Sequence, residues 1–366
     1  MERQRLTRLK KVMRVQSNSG KCDRMQRFVM KELDAMDIDY SKDKIGNIYA
    51  TKGHAEMYPT MVCHMDTVHD INDNAVVFQH QDVLFAIDTK TYERYGIGGD
   101  DKVGVFITLE MLQKFDNFKA VFFVDEEIGC VGSSACDITF LEDSTFILQC
   151  DRRGKSDFVT TISGTKLSND ELHNHIDDLL KKYDRKLTSG GMTDVEQIAE
   201  KTDIQVANMS CGYYDPHSDN EYIKISEVLA TADFCYEVLS KTDGQLWRMP
   251  NEDRFTYSYG SNRYYGGWNY YHDDWYDDEP TYYNRYNPET NQMDKICVYT
   301  NKPLTPEELE LVTDKEEDIQ LSQMNSCYSK CEHKNLEWFK DEKVFYCMDC
   351  YQTFDENKNL LEDYGY

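Results

Sequence analysis

Apolar residues recur at helical spacing near the start of the chain, first Leu6, Leu9 and Met13, then Met25, Phe28, Val29, Leu33 and Met36. Each set lines one side of a 3.6-residue repeat and predicts an amphipathic helix. Strand candidates follow at Ile45–Ala50 and Met61–Asp66, and Val103–Leu112 reads as a helix. Lys119–Val124 is a continuous apolar run of the kind buried on both faces of a sheet. Thr145–Cys150 is a further strand, Asn169–Lys182 an amphipathic helix and Ser226–Leu239 the last helix. Strands alternating with helices predict an α/β fold, a mostly parallel mixed sheet sandwiched by helices, over residues 1–240.

The pattern then changes. Residues 241–322 hold the run from Arg263 to Glu279, rich in tyrosine and acid and without helical or strand period. Too few aliphatic residues are present there to build a core, so the stretch reads as a low-complexity, largely disordered linker. Residues 323–366 carry Cys327, Cys331, His333, Cys347 and Cys350, the makings of a small third module.

Composition narrows the function classes. The 366 residues carry a net charge of −26, which repels phosphate backbones at long range and makes nucleic acid an unlikely partner. No stretch approaches the roughly 18–20 apolar residues of a membrane span, and the basic start of the chain lacks the apolar core of a secretory signal. The 12 cysteines, with no such signal, point to a reducing, cytoplasmic compartment where they serve as buried thiols or metal ligands.

Five motifs carry the candidate chemistry. His64-Met-Asp66 ends a strand and points both side chains the same way. Gly96-Ile-Gly-Gly-Asp100-Asp101-Lys102 runs from a glycine-rich loop into a helix. Asp125-Glu126-Glu127 follows the buried strand, where α/β sheets place their ligands, and three acids in a row repel one another unless a cation or a raised pKa relieves them. Asp151 follows another apolar strand, and His217-Ser-Asp-Asn-Glu221 precedes the last helix. Two histidines with several acids at strand ends suit a pair of divalent cations, and paired metals activate a hydrolytic water.

The order of these motifs resembles that of the di-zinc exopeptidases of the aminoacylase, carboxypeptidase and tripeptidase (peptidase T) type. Ser17-Asn-Ser-Gly20, Asp43-Lys-Ile-Gly-Asn47 and Gly190-Gly-Met-Thr-Asp194 agree with it, so the match covers nearly all of residues 1–239. The resemblance implies two catalytic zinc ions (or cobalt or manganese) bridged by Asp100. His64 and Asp151 would complete one site, and Glu127 and His217 the other. It further implies that Asp66 orients His64, that Glu126 is the general base acting on the bridging water, and that the Asp100–Asp101 peptide is cis. The family usually inserts a lid domain between its fourth and fifth motifs. The interval from Asp151 to His217 has no room for one, which leaves dimerisation, the end attacked and the substrate class open. Arg152 and Arg153 could hold a substrate carboxylate, although ordinary surface charges are the simpler reading.

Cys331-Glu-His333 and Cys347-Met-Asp-Cys350 have the spacing of a zinc ribbon around a hairpin from Leu336 to Tyr346, with Cys327 an alternative to His333 as fourth ligand. Such a short segment would need one structural zinc to fold. The sequence thus predicts a zinc-dependent hydrolase that cleaves an amide bond in a short peptide or an N-acyl amino acid. The rival reading is a scaffold protein that keeps the hydrolase fold and meets a protein partner through its ribbon or its tyrosine-rich linker.

Overall fold

In the computed structural model, residues 2–254 are described continuously, and five short strands are described beyond them. The elements follow from the sequence with informative exceptions. Helices α1 (Glu2–Arg14) and α2 (Asp23–Ala35) bury the expected stripes. Strand β1 (Asp39–Lys42) pairs with β2 (Ile48–Lys52). The latter starts later than Ile45 because the Asp43 carboxylate captures the N–H groups of Ile45, Gly46 and Asn47 at 3.1, 2.8 and 2.9 Å. That side-chain turn competes with strand extension.

β3 (Tyr58–His64) leads into three strands that the sequence pattern missed, β4 (Ala75–His80), β5 (Val83–Asp88) and β6 (Arg94–Tyr95). Next come α3 (Gly99–Lys114), β7 (Phe118–Phe123), the short α4 (Val131–Ser134) and β8 (Ser144–Gln149). β9 (Asp157–Ile162) and β10 (Thr165–Lys166) form a hairpin. The helix expected at Asn169–Lys182 is two helices, α5 (Asp170–His175) and α6 (Asp177–Lys182), broken at Ile176. Asn169 caps the first of them, and Asp177 and Asp178 favour a second N-terminus there. β11 (Lys186–Gly190), α7 (Asp194–Ala199), β12 (Val206–Met209), β13 (Tyr213–Tyr214), β14 (Tyr222–Lys224), α8 (Ile225–Thr242) and α9 (Asn251–Arg254) complete this unit.

The main sheet runs β1-β2-β7-β3-β8-β12-β9-β10, with β11 also on β9. Its centre, β7-β3-β8-β12, is parallel, β1, β2, β9 and β10 pair antiparallel at its flanks, and β11 runs parallel to β9. Alternate residues of the central strands enter separate cores. Met61, Cys63, Ala120, Phe122, Phe146 and Leu148 face α1, α2, α3 and α8, whereas Val62, Val121, Phe123 and Ile147 face α7. Burial on both faces is why these strands read as unbroken apolar runs. The interval between Asp151 and His217 adds β9–β12 to this sheet rather than a second domain, as its length suggests. A separate small antiparallel sheet, β13-β14-β5-β4 with β6, joins the segment before α3 to the one before α8.

The packed unit continues past residue 240. Trp247 and Met249 are buried, and the buried Arg254 guanidinium donates to the carbonyls of Lys166, Leu167 and Ile204. Farther on, β15 (Tyr282–Asn287) pairs with β16 (Gln292–Cys297) inside the stretch read as a linker. β17 (Leu336–Phe339), β18 (Val344–Cys347) and β19 (Thr353–Phe354) form a second small sheet, with the hairpin expected at Leu336–Tyr346. Cys327, Cys331, His333 and Cys350 lie outside the described residues. Among the described residues no helix is long and apolar enough to cross a membrane. Cys22, Cys63, Cys130, Cys136, Cys150, Cys211 and Cys235 are free and buried.

One buried acid gives a pH test of this packing. Burial, with the charge of Glu200, raises the Glu196 carboxyl to about 7. Between its unfolded value near 4.5 and that folded value, the native state binds the extra proton, so stability falls as pH rises through this window. Glu196→Gln should flatten the decline by on the order of 2 kcal/mol between about pH 5 and pH 8. Urea unfolding of both proteins at the two pH values checks this, and parallel profiles would exclude it.

Candidate active site

The site lies at the carboxyl ends of β7, β3 and β8, where the parallel strands release their chains. His64 is the last residue of β3 and is fully buried. Its Nδ1 lies 3.3 Å from Asp66 Oδ1 and 3.1 Å from the Asp66 carbonyl, so the ring presents Nε2 to the cleft. Asp66 also ties three segments together. Its carboxylate accepts from the N–H groups of Glu126 and Glu127 at 3.0 and 3.2 Å and from Ser19 Oγ at 2.8 Å. Burial opposes its ionisation, but His64 and these donors hold its pKa below the usual range.

Asp100 stands between the two histidines. Its Oδ1 is 3.3 Å from His64 Nε2, and its Oδ2 is 3.4 Å from His217 Nε2. The peptide to Asp101 is cis. Asp101 faces inward, accepting from Gly104 N at 2.9 Å and His64 N at 3.3 Å. A Cβ at position 104 would lie 2.2 Å from that carboxylate, which is why glycine follows the Asp-Asp-Lys motif. Asp151 Oδ1 is 3.6 Å from His64 Nε2, and Glu127 Oε2 is 3.0 Å from His217 Nε2. Two donor sets sharing Asp100 therefore face each other, His64–Asp100–Asp151 and Asp100–Glu127–His217. Glu126 Oε2 lies 3.9 Å from His64 Nε2, beside the first set.

The electrostatics point to a cation. Burial pushes Glu126 well up, helped by the charges of Asp151 and Asp194. Burial and the Asp100 charge raise Glu127 to about 7. Burial opposes ionisation of Asp100, yet His217 and His64 keep it ionised. His217, held by Asp100 and Glu127, is pushed up to about 11. His64 Nε2 and Glu127 Oε1 are buried atoms that make no hydrogen bond, despite the surrounding acids. Orphaned donor atoms within mixed nitrogen and carboxylate sets are what divalent ions satisfy. The residues present fit such ions.

Several supporting residues escaped the sequence reading. Gln149 donates to Asp151 Oδ2 at 3.2 Å and Asp194 Oδ2 at 3.0 Å, while its Oε1 accepts from Thr193 Oγ1 and Val195 N. Thr193 Oγ1 also reaches Asp151 Oδ2 at 2.6 Å, and Tyr213 OH reaches Asp151 Oδ1 at 3.3 Å. The Gly190–Asp194 turn was legible as a motif, but its action on Asp151 was not. Arg152 is paired with Asp157 at 2.6 Å, and Arg153 is exposed, in keeping with surface charges.

The motif order, this geometry and the sheet agree with one family. Residues 89–234 match the M42 glutamyl aminopeptidases. That match supports a metallopeptidase in this part of the chain. The fold is similar to that of the aminopeptidase PepT from Bacillus cereus, with a TM-score of 0.58 at 15% identity over 66% of this chain and 99% of the other. A tripeptidase from Staphylococcus aureus gives 0.55 at 14% identity over 66% and 98%. No curated protein matches the chain in sequence.

The Gln149 amide supplies a direct test of how the site is held. Gln149→Leu leaves Val195 N without its acceptor and takes one donor each from Asp151 and Asp194, so it should cost about 2–4 kcal/mol in urea unfolding. Divalent-metal affinity should fall about 10–100-fold. A variant with unchanged stability and metal content would show that Asp151 is held by other means.

Proposed function

We propose that the domain is a di-zinc aminopeptidase acting on short peptides, with N-acyl amino acids the secondary substrate class. The observation that carries this reading is the single carboxylate of Asp100 set between two histidines, each with a further acid beside it. The match to aminopeptidases, rather than carboxypeptidases, favours attack at the amino end. Zinc suits the mixed imidazole and carboxylate donors, with cobalt or manganese as substitutes.

His64, Asp100 and Asp151 would hold one ion, and Asp100, Glu127 and His217 the other. Bound there, the pair would polarise the scissile carbonyl and bring a water's pKa towards about 7. The remaining chemistry belongs to the chain. Asp66 fixes the tautomer and direction of His64, and through the backbone of residues 126 and 127 it sets the acidic loop. Glu126 takes a proton from the attacking water and delivers it to the leaving amine. A carboxyl whose pKa is raised by burial is suited to both halves of that transfer. A third, structural zinc held by Cys331, His333 or Cys327, Cys347 and Cys350 belongs to the same proposal, as does a cytoplasmic location.

Glu126→Gln should lower hydrolysis of a panel of dipeptides, tripeptides and N-acyl amino acids by about 10²–10⁴-fold while leaving metal content intact. Undiminished turnover in the variant removes Glu126 from its role. A wild-type chain that binds metal but turns over nothing on the panel favours the scaffold reading.

A further inference from the structure

Glu221 and His69 lie beside the donor sets but belong to neither. Glu221 is fully buried on the segment leading into β14. Its Oε1 accepts from the backbone N–H of Asp100 at 3.0 Å, and its Oε2 accepts from Gly98 N at 2.7 Å. The same Oε2 is 2.9 Å from His69 Nε2, which therefore carries its proton on that nitrogen and donates it. One carboxylate thus grips the backbone on both sides of Gly99, immediately before the side chain shared by the two donor sets.

The glycine-rich loop is shaped around this arrangement. A Cβ at Gly96 would lie 1.9 Å from His69 Cε1, inside the ring's own volume. The loop therefore passes against the face of His69, and any larger residue would drive the ring off Glu221. Arg94, in β6 just before the loop, donates to the Glu221 carbonyl at 3.0 Å and fixes the other end of that residue. Three segments that are separate in sequence, carrying His69, Arg94 with Gly96, and Glu221, converge on the approach to Asp100.

We propose that Glu221, held by His69, is a positioning pair that sets the direction of the Asp100 carboxylate and so the affinity of the shared metal site. Neither residue touches the donor atoms. Their effect passes through the Asp100 N–H, in the way outer partners orient metal ligands. The inference rests on Asp100 being a metal ligand, as in the proposed function.

The test titrates Co2+ into the metal-stripped full chain and follows its visible absorption, with Asp100→Ala as the reference that subtracts ions bound elsewhere. His69→Asn should weaken Co2+ binding about 10–100-fold and alter the shape of the absorption band, whereas His69→Gln, which can still donate to Glu221, should recover most of both. Glu221→Gln should weaken binding at least as much, and the double variant should be no worse than Glu221→Gln alone. Wild-type affinity and spectrum in folded His69→Asn, or losses that add in the double variant, overturn the pair. If Glu221→Gln does not fold, the contrast between His69→Asn and His69→Gln decides alone. Failure of the wild type to bind more Co2+ than Asp100→Ala would instead overturn the metal assignment of the proposed function.

Discussion

The constraint on which the site depends is the crowding of carboxylates at one end of a parallel sheet. Asp66, Asp100, Asp101, Glu126, Glu127, Asp151 and Asp194 converge there on His64, and most of them are buried. Isolated from water, such a cluster cannot stay fully ionised, and burial drives most of these carboxyls above their ordinary range. The chain meets the problem with two histidines and a set of backbone and side-chain donors, yet leaves His64 Nε2 and Glu127 Oε1 without partners. Protons alone would neutralise the acids, whereas a cation in each donor set would give each of those atoms a partner.

The fold brings this about through strand register. β3 pairs in parallel with both β7 and β8, with His64 in register with Phe123. Three chains therefore turn out of the sheet at one level, carrying His64–Asp66, Asp125–Glu127 and Asp151. Asp66 then locks two of those turns together through a single carboxylate. The register of the apolar strands is what sets these three turns side by side.

This division explains what the sequence could and could not show. Buried strands such as Phe118–Phe123 announce themselves as apolar runs, and acids directly after them are conspicuous. The small sheet does not, since β4 keeps exposed and half-buried residues along its length, and β6, β13 and β14 are two or three residues long. The break at Ile176 was invisible because both halves continue the same apolar stripe, with Leu172, Ile176, Leu179 and Leu180 buried. Residues 241–254 carry no long apolar stripe, and only the burial of Trp247, Met249 and Arg254 assigns them to the packed unit. Glu221 was visible in its motif, but its action on a backbone N–H more than a hundred residues away is a tertiary fact with no local signature.

The two donor sets are built differently, and the difference bears on function. His64 is fully buried and Asp151 nearly so, and both stand at strand ends braced by Asp66, Gln149, Thr193 and Tyr213. His217 sits on a loop in the left-handed region, at φ 60°, with half of its side chain exposed. The only described carboxylates within ion-pairing distance of His217 are Asp100 and Glu127. One site is therefore preorganised by the sheet, and the other is completed from the loop that leads to Glu221. Since that loop carries both His217 and the residue gripping the backbone before Asp100, the open side of the cleft and the shared ligand are set by one segment.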